Sequence, residues 1–260
     1  MTDVAIRDQR PAVSASRVPG FRADPGQGRV FTTRREVRST DVIPEGRLRL
    51  DALARYLQAA AEDDVSDAGW DGSHVWLLRR MALVIRGYPA HRERISLRTY
   101  CSATGPRWAE RTTTVSAAGG DLIQSTAIWV AVSAQDGRPV PLGESFQRHY
   151  GPSAGGRQVS ARLSHPGLPG SAAARPWPLR TADFDTAGHV NNAVHWAAVE
   201  DELATLDWLP GQAELEYHRP ILPGAEPELV TSQGPGELRA WLREGPQRLA
   251  SAWLTAAGRR

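Results

Sequence analysis

Apolar positions along the chain fall into two blocks with the same internal order. In the first, Phe31 to Val42 reads as a strand that runs into a turn at Pro44-Glu45-Gly46. Leu50, Leu53, Leu57, Ala60, Ala61, Val65 and Ala68 then recur at spacings of three and four, which predicts one apolar face of a helix. Asp51 lies in its first turn, where a negative charge suits the helix dipole, and Gly69 supplies a stop. Four strand-like runs follow: Trp76 to Tyr88, Arg94 to Cys101, Trp108 to Val115 and Leu122 to Ser133. The turns between and after them carry Tyr88-Pro89, Gly105-Pro106, Gly119-Gly120 and Asp136-Gly137.

Residues 143 to about 175 break the pattern. Gly, Ser, Ala, Pro and Arg dominate there, and the stretch reads as a linker, long for a loop inside one domain. The first pattern then returns. Trp177 to Thr181 reads as a strand, Thr186-Ala187-Gly188 as a turn, and Val190, Ala193, Val194, Ala197, Ala198 and Leu203 as a helix. Strands are expected at Glu214 to His218, Glu226 to Thr231, Leu238 to Arg243 and Arg248 to Thr255. The chain therefore reads as two copies of strand, helix and four strands, which predicts an α+β protein with antiparallel sheet wrapped around helices.

Composition narrows the classes. The 260 residues are 41% hydrophobic and 23% charged, as in soluble globular proteins. The first 28 residues lack periodicity and read as a flexible tail. The longest apolar run, Ala127 to Val132, is too short to span a bilayer, and the start lacks the pattern of a secretory leader. A single cysteine, Cys101, permits no internal disulfide and no cysteine-based zinc site. These features favour a soluble cytoplasmic protein. All 31 basic residues are Arg, so no Schiff-base or general-base lysine exists. The net charge of +2 gives no argument for nucleic acid, and the nine Trp are read as packing groups.

The stretch richest in chemistry is Asp183-Phe184-Asp185-Thr186-Ala187-Gly188-His189-Val190-Asn191-Asn192, placed between a strand and a helix. Free N–H groups at a helix start can hold a polarised carbonyl or a developing oxyanion. Gly188 lets backbone approach a ligand, Asp185 can attack or activate water, and His189 can pass a proton. Those parts suffice for acyl transfer to water. Asp before a helix is also a favoured cap, and Asn bonds its own backbone, so on residue types alone both readings stay open.

Asp185-Thr-Ala-Gly188-His189-Val190-Asn191-Asn192, with His195 and Glu200 beyond it, resembles the signature of hotdog-fold thioesterases. The first block is similar to acyl-[acyl carrier protein] thioesterases at Val37-Arg38-Ser39-Thr40-Asp41, Gly46-Arg47-Leu48, Val75 to Arg80 and Tyr88-Pro89. Leu215-Glu216-Tyr217-His218-Arg219 adds to this in the second. The resemblance covers roughly residues 30 to 256. It implies a tandem (double) hotdog fold: a tail over 1–28, an N-terminal hotdog over 29–142 shaping the acyl pocket, a linker over 143–175, and a C-terminal hotdog over 176–260 carrying the catalytic motif. It implies Asp185 and His189 as catalytic residues, with backbone at Gly188, Val190 and Asn191 facing the thioester carbonyl. Asn192, His195 and Glu200 are supporting candidates. The implied partner is an acyl carrier protein bearing a phosphopantetheine-linked acyl thioester; no metal, cofactor, nucleic acid or membrane span is implied, and the chain is expected as monomer or homodimer.

Four positions depart from the pattern: Ala187 replaces an Asn, and Pro220 and Ile221 an acidic residue and a Cys, of the plant members, and His195 replaces the family Tyr. Asp201 and Glu202 are expected on a solvated helix face. Arg34, Arg35, Arg38, Arg47 and Arg49 form either a solvated face or a dock for the acidic carrier. The reading is thus a hydrolase that releases free acid and carrier thiol. An acyl-coenzyme A thioesterase of the same fold and a non-catalytic acyl- or carrier-binding module are the alternatives, and the choice between primary lipid and polyketide synthesis stays open.

Overall fold

The computed structural model describes residues 22–23, 25–69, 75–169 and 173–257. Ten strands form one antiparallel sheet: β1 (Phe31–Glu36), β2 (Val75–Ile85), β3 (Arg94–Thr104), β4 (Trp108–Ala117), β5 (Gly120–Val132), β6 (Ala174–Pro176), β7 (Pro210–Tyr217), β8 (Glu228–Gly234), β9 (Glu237–Glu244) and β10 (Gln247–Ala256). Their spatial order is β1-β3-β4-β5-β2-β7-β10-β9-β8-β6. Shifting the first half by five gives the second half read backwards, so the repeat in the hydrophobic pattern is a repeat in topology. The halves meet where β2 pairs with β7, Arg80 opposite Glu216 and Ala82 opposite Glu214.

Two helices carry the core. Helix α1 (Leu50–Asp67) buries Leu50, Leu53, Leu57 and Ala60 as the three-and-four spacing predicts. Helix α3 (Val194–Leu203) packs against α1 and buries Trp196, Ala198, Val199 and Leu203. It starts later than its apolar spacing suggests. Val190 is instead bridged to Phe184, and Asn191 to Ala193 form a turn before the first helical residue. Two expected strands also differ: β1 ends at Glu36, and Trp177 to Thr181 is not strand. Short 3-10 turns at Ser39–Asp41 and Thr181–Asp183 take the corresponding place in each half.

The expected linker is built, not loose. Residues 143–154 form helix α2 (Gly143–Ala154), with Phe146, Tyr150 and Ala154 at spacings of four. Those residues and Leu142 bury against Cys101, Ala109 and Ala131 in a second, smaller core. A Gly, Ser and Pro background masked that stripe, with Pro152 inside the last turn. Beyond α2 the chain runs as a strap towards the second half. Trp108 Nε1 donates to the Val159 carbonyl at 2.8 Å, and Trp241 Nε1 to that of Pro166 at 3.1 Å.

Most of the expected tail lies outside the described residues, but its end is anchored. Arg22 pairs with Glu110, Tyr100 Oη donates to the Ala23 carbonyl at 2.9 Å, and Arg29 reaches Asp64 at 2.6 Å. At Gly28 a Cβ would fall 2.3 Å from the Ser153 nitrogen, so only glycine passes α2 here. Among the described residues no helix is long and apolar enough to cross a membrane.

Candidate functional site

A cavity of about 540 Å³ opens between the two halves. Its floor and walls come from the first: Ala61 and Val65 on α1, Trp76 on β2, Cys101, Ala109, Arg111 and Trp129 on the sheet, and Phe146 and Tyr150 on α2. Asp185, Thr186, Ala187 and Asn192 from the second half complete it. The lower part of the α1 stripe, which reads as core in the sequence, therefore faces this cavity.

The Asp185 turn is held tightly. Asp185 N–H donates to the His189 carbonyl at 2.9 Å, and Gly188 N–H to the Asp185 carbonyl at 3.0 Å. Gly188 has φ of 74°, so glycine is required there by the turn. It lines no part of the cavity, contrary to the expected close approach to a ligand. The half-buried Asp185 accepts Ala187 N–H on Oδ1 at 3.0 Å, and Asn191 Nδ2 lies 3.4 Å from Oδ2. Its carboxylate braces its own turn and is not the cap of α3, whose N-cap residue is Ala193.

The expected backbone donors need correction. Val190 N–H is spent on the Ile221 carbonyl at 2.9 Å, and Asn191 N–H on that of Asp183 at 2.8 Å. With Gly188 also engaged, none of the three is free for a thioester. Among the described residues the N–H groups of Thr186 and Asn192 have no acceptor, and both residues line the cavity. Ile221, buried where plant members carry Cys, props the motif through its carbonyl.

His189 is half-buried in the turn; it is not part of the cavity wall, and no hydrogen bond to its ring is present among the described residues. His195 is buried under the motif. Its Nδ1 lies 3.3 Å from the Asn191 carbonyl, and its ring meets Tyr217 edge-on at 5.1 Å. Tyr217 Oη donates to the Asn192 carbonyl at 3.0 Å. Tyr217 was not a candidate in the sequence; its place in the Leu-Glu-Tyr-His-Arg run was the available signal. His195 and Tyr217 thus fix the Asn191-Asn192 backbone from beneath.

Burial pushes the His195 pKa down to about 4, against which hydrogen bonds to Asn191 and Asn192 act only partly. The unfolded chain takes a proton as pH falls through about 6.5, while the folded chain refuses it until about 4. This histidine therefore makes stability drain away on the acid side. Urea unfolding at pH 7, 6 and 5 is expected to show a slope about 1.4 kcal/mol per pH unit steeper, below pH 6.5, than His195→Phe gives; equal slopes would contradict it.

Glu200 does not support the motif. It is buried, its Oε2 accepts Leu50 N–H at 2.8 Å at the start of α1, and it pairs with Arg47. Glu202, expected on a solvated face, is buried and paired with Arg175; only Asp201 is exposed. Of the five clustered arginines, Arg35, Arg38, Arg47 and Arg49 pair with Asp63, Glu36, Glu200 and Asp51. Arg47 is mostly buried, whereas Arg34 and Arg38 are exposed.

Two groups could be mistaken for chemistry. Burial pushes the Cys101 thiol up to about 11, so it stays protonated and unreactive. His165, Glu214 and Glu216 bring ligand atoms within 4.8 Å on the sheet face opposite α3. Both ring nitrogens are occupied, Nε2 by Glu214 at 3.0 Å and Nδ1 by Ser251 at 3.0 Å, and Glu216 accepts His165 N–H at 3.1 Å. The cluster tethers the strap to β7 and β10.

Residues 28–150 match the acyl-ACP thioesterase N-terminal domain, and residues 170–247 the acyl-ACP thioesterase C-terminal domain. The uncharacterized protein Rv2001 of Mycobacterium tuberculosis (strain ATCC 25618 / H37Rv) is 28% identical over 77% of this chain and 81% of its own. The fold is shared with the 12:0-ACP thioesterase of Umbellularia californica, at 19% identity over 88% of this chain and 97% of that one, with a TM-score of 0.74. It is shared too with an acyl-ACP thioesterase of Bacteroides thetaiotaomicron VPI-5482, at 17% identity over 88% and 98%, with a TM-score of 0.73. The two domain matches span both halves of the sheet, and the chain belongs to the acyl-ACP thioesterase family.

Proposed function

We propose that this thioester hydrolase cleaves its acyl-carrier substrate with Asp185 as the essential group, at the junction of two hotdog repeats over 29–142 and 176–260. The repeated strand order, with α1 of the first half packed on α3 of the second, supports the tandem assignment. One observation carries the catalytic reading: Asp185, Thr186 and Asn192 line a cavity walled mainly by the first half, and among the described residues the N–H groups of Thr186 and Asn192 have no acceptor. The acyl chain enters that cavity. Asn192 N–H, just ahead of α3, and Thr186 N–H take the carbonyl oxygen as it becomes an oxyanion. Asp185 draws the proton from a water whose oxygen adds to the carbonyl carbon. The C–S bond then breaks, and the proton leaves with the carrier thiol. Direct attack by the carboxylate gives an acyl-aspartyl anhydride that water then opens. A single turnover in ¹⁸O-water tests this route: label retained in the Asp185 carboxylate identifies an anhydride opened at its aspartyl carbon, whereas direct addition of water to the thioester puts the label in the acid alone. His189 acts from the rim.

The test is thiol release from matched acyl-carrier and acyl-coenzyme A thioesters. Carrier-selective release is expected. His189→Ala should lose about ten-fold in kcat, short of the roughly 100-fold or more typical of a group that transfers the reacting proton. Ligand retention without release from either panel would make the chain a binding module.

A further inference from the structure

The cavity wall is poor in the side chains that usually line a slot for saturated chains. Among the described lining residues there is no Leu, Ile or Met, and Val65 is the single branched aliphatic. Trp76, Trp129, Phe146 and Tyr150 supply four aromatic rings instead. Three form a run across β2 and α2: Trp76 and Phe146 have centroids 5.6 Å apart at 48°, and Phe146 and Tyr150 5.1 Å apart at 32°. The Arg111 guanidinium lies 5.8 Å from the Tyr150 ring, and Asp64, at 2.6 Å, neutralises it within the wall.

A flexible alkyl chain gains from buried area whatever the wall is made of, and it loses rotamer freedom on being held. A rigid ring loses less and gains more, because its faces and edges meet other rings in offset or edge-on geometry. A guanidinium plane also stacks on an aromatic face. Room is sufficient: a cavity of about 150 Å³ takes benzene, so 540 Å³ admits a ring and the arm that joins it to the thioester. We propose that this cavity selects thioesters whose acyl group ends in an aromatic ring over those with straight saturated chains. The proposal rests on the thioesterase reading and deepens it by naming the acyl class.

The experiment uses the full chain and two readouts. The first is kcat/KM for carrier and coenzyme A thioesters of 3-phenylpropanoate and 2-naphthoate against octanoate, dodecanoate and hexadecanoate. The second is the affinity of the corresponding free acids, followed by tryptophan fluorescence and calorimetry. Aryl thioesters are expected to exceed dodecanoyl by about ten-fold, the scale of one or two aromatic contacts. Trp129→Leu should lower the aryl-to-alkyl ratio several-fold. Phe146→Leu should do the same, and the half-buried Trp129 keeps the test valid if the buried Phe146 variant fails to fold. Faster turnover of dodecanoyl or hexadecanoyl, with a ratio unmoved by Trp129→Leu, would overturn the proposal. If no thioester is cleaved, the hydrolase reading fails while the acids still decide the pocket. Tighter aryl acids uphold it and tighter dodecanoate overturns it.

Discussion

Replacing Asp185 by Asn is expected to lower kcat by about 10³-fold or more with little change in unfolding temperature, the upper range for removing a general base or nucleophile. The stability half of this expectation follows from the contacts. Asp185 accepts one N–H from Ala187 at Oδ1, and an Asn side-chain oxygen can accept the same bond. Apart from a long 3.4 Å bond from Asn191 Nδ2 to Oδ2, which the Asn variant gives up, the turn is held by backbone, through Asp185 to His189 and Gly188 to Asp185, and the carboxylate has no ion pair among the described residues. No buried countercharge is stranded by the change. The activity half follows because Asp185 lines the cavity and His189 does not. Matched measurements of thiol release and thermal unfolding on both proteins check it. Activity within ten-fold of wild type would remove Asp185 from the mechanism. A variant that unfolds would instead make the Asp185 carboxylate a structural brace.

How much of this was legible follows from what each residue's signal depends on. Helix α1 and strands β2 to β5 announce themselves because their burial is periodic and local, and residue type alone reports it. Helix α2 did not, because only Phe146, Tyr150 and Ala154 carry the stripe while Gly151, Ser153 and Pro152 sit between them. The Asp185 motif was legible as a cluster, but its donors were not. Which N–H is free depends on where Ile221 and Asp183 place their carbonyls, and no spacing rule reports that. Val190 shows the failure in one residue: its apolar side chain fits the α3 stripe, yet its backbone closes a bridge to Phe184 four residues before the helix begins. Arg47 and Glu200 are 153 positions apart, and only the packing of α1 on α3 brings them together.

Breaking that pair is expected to be costly to stability. Glu200 is buried on α3, and its carboxylate does two things at once: it accepts Leu50 N–H, one of the orphan donors at the start of α1, and it pairs with Arg47. Arg47 is itself mostly buried, stacked 5.0 Å from the Tyr88 ring and donating to the Leu48 carbonyl at 3.1 Å. Glu200→Ala leaves a buried guanidinium without a countercharge and a buried N–H without an acceptor, on the two helices that form the core. Breaking a buried pair in this way costs about 3–5 kcal/mol, a large part of the about 5–15 kcal/mol that holds a domain of ordinary size. Glu200→Gln keeps an oxygen for Leu50 N–H and loses the charge, so its loss should fall near 1–3 kcal/mol. Urea denaturation of the three proteins orders them. Because Glu200 touches neither the cavity nor the Asp185 turn, kcat per folded molecule in the cold should match wild type. A loss of kcat in a folded Glu200→Gln protein would return this residue to the active site, and equal stability of all three would mean that the helix start is satisfied by other means.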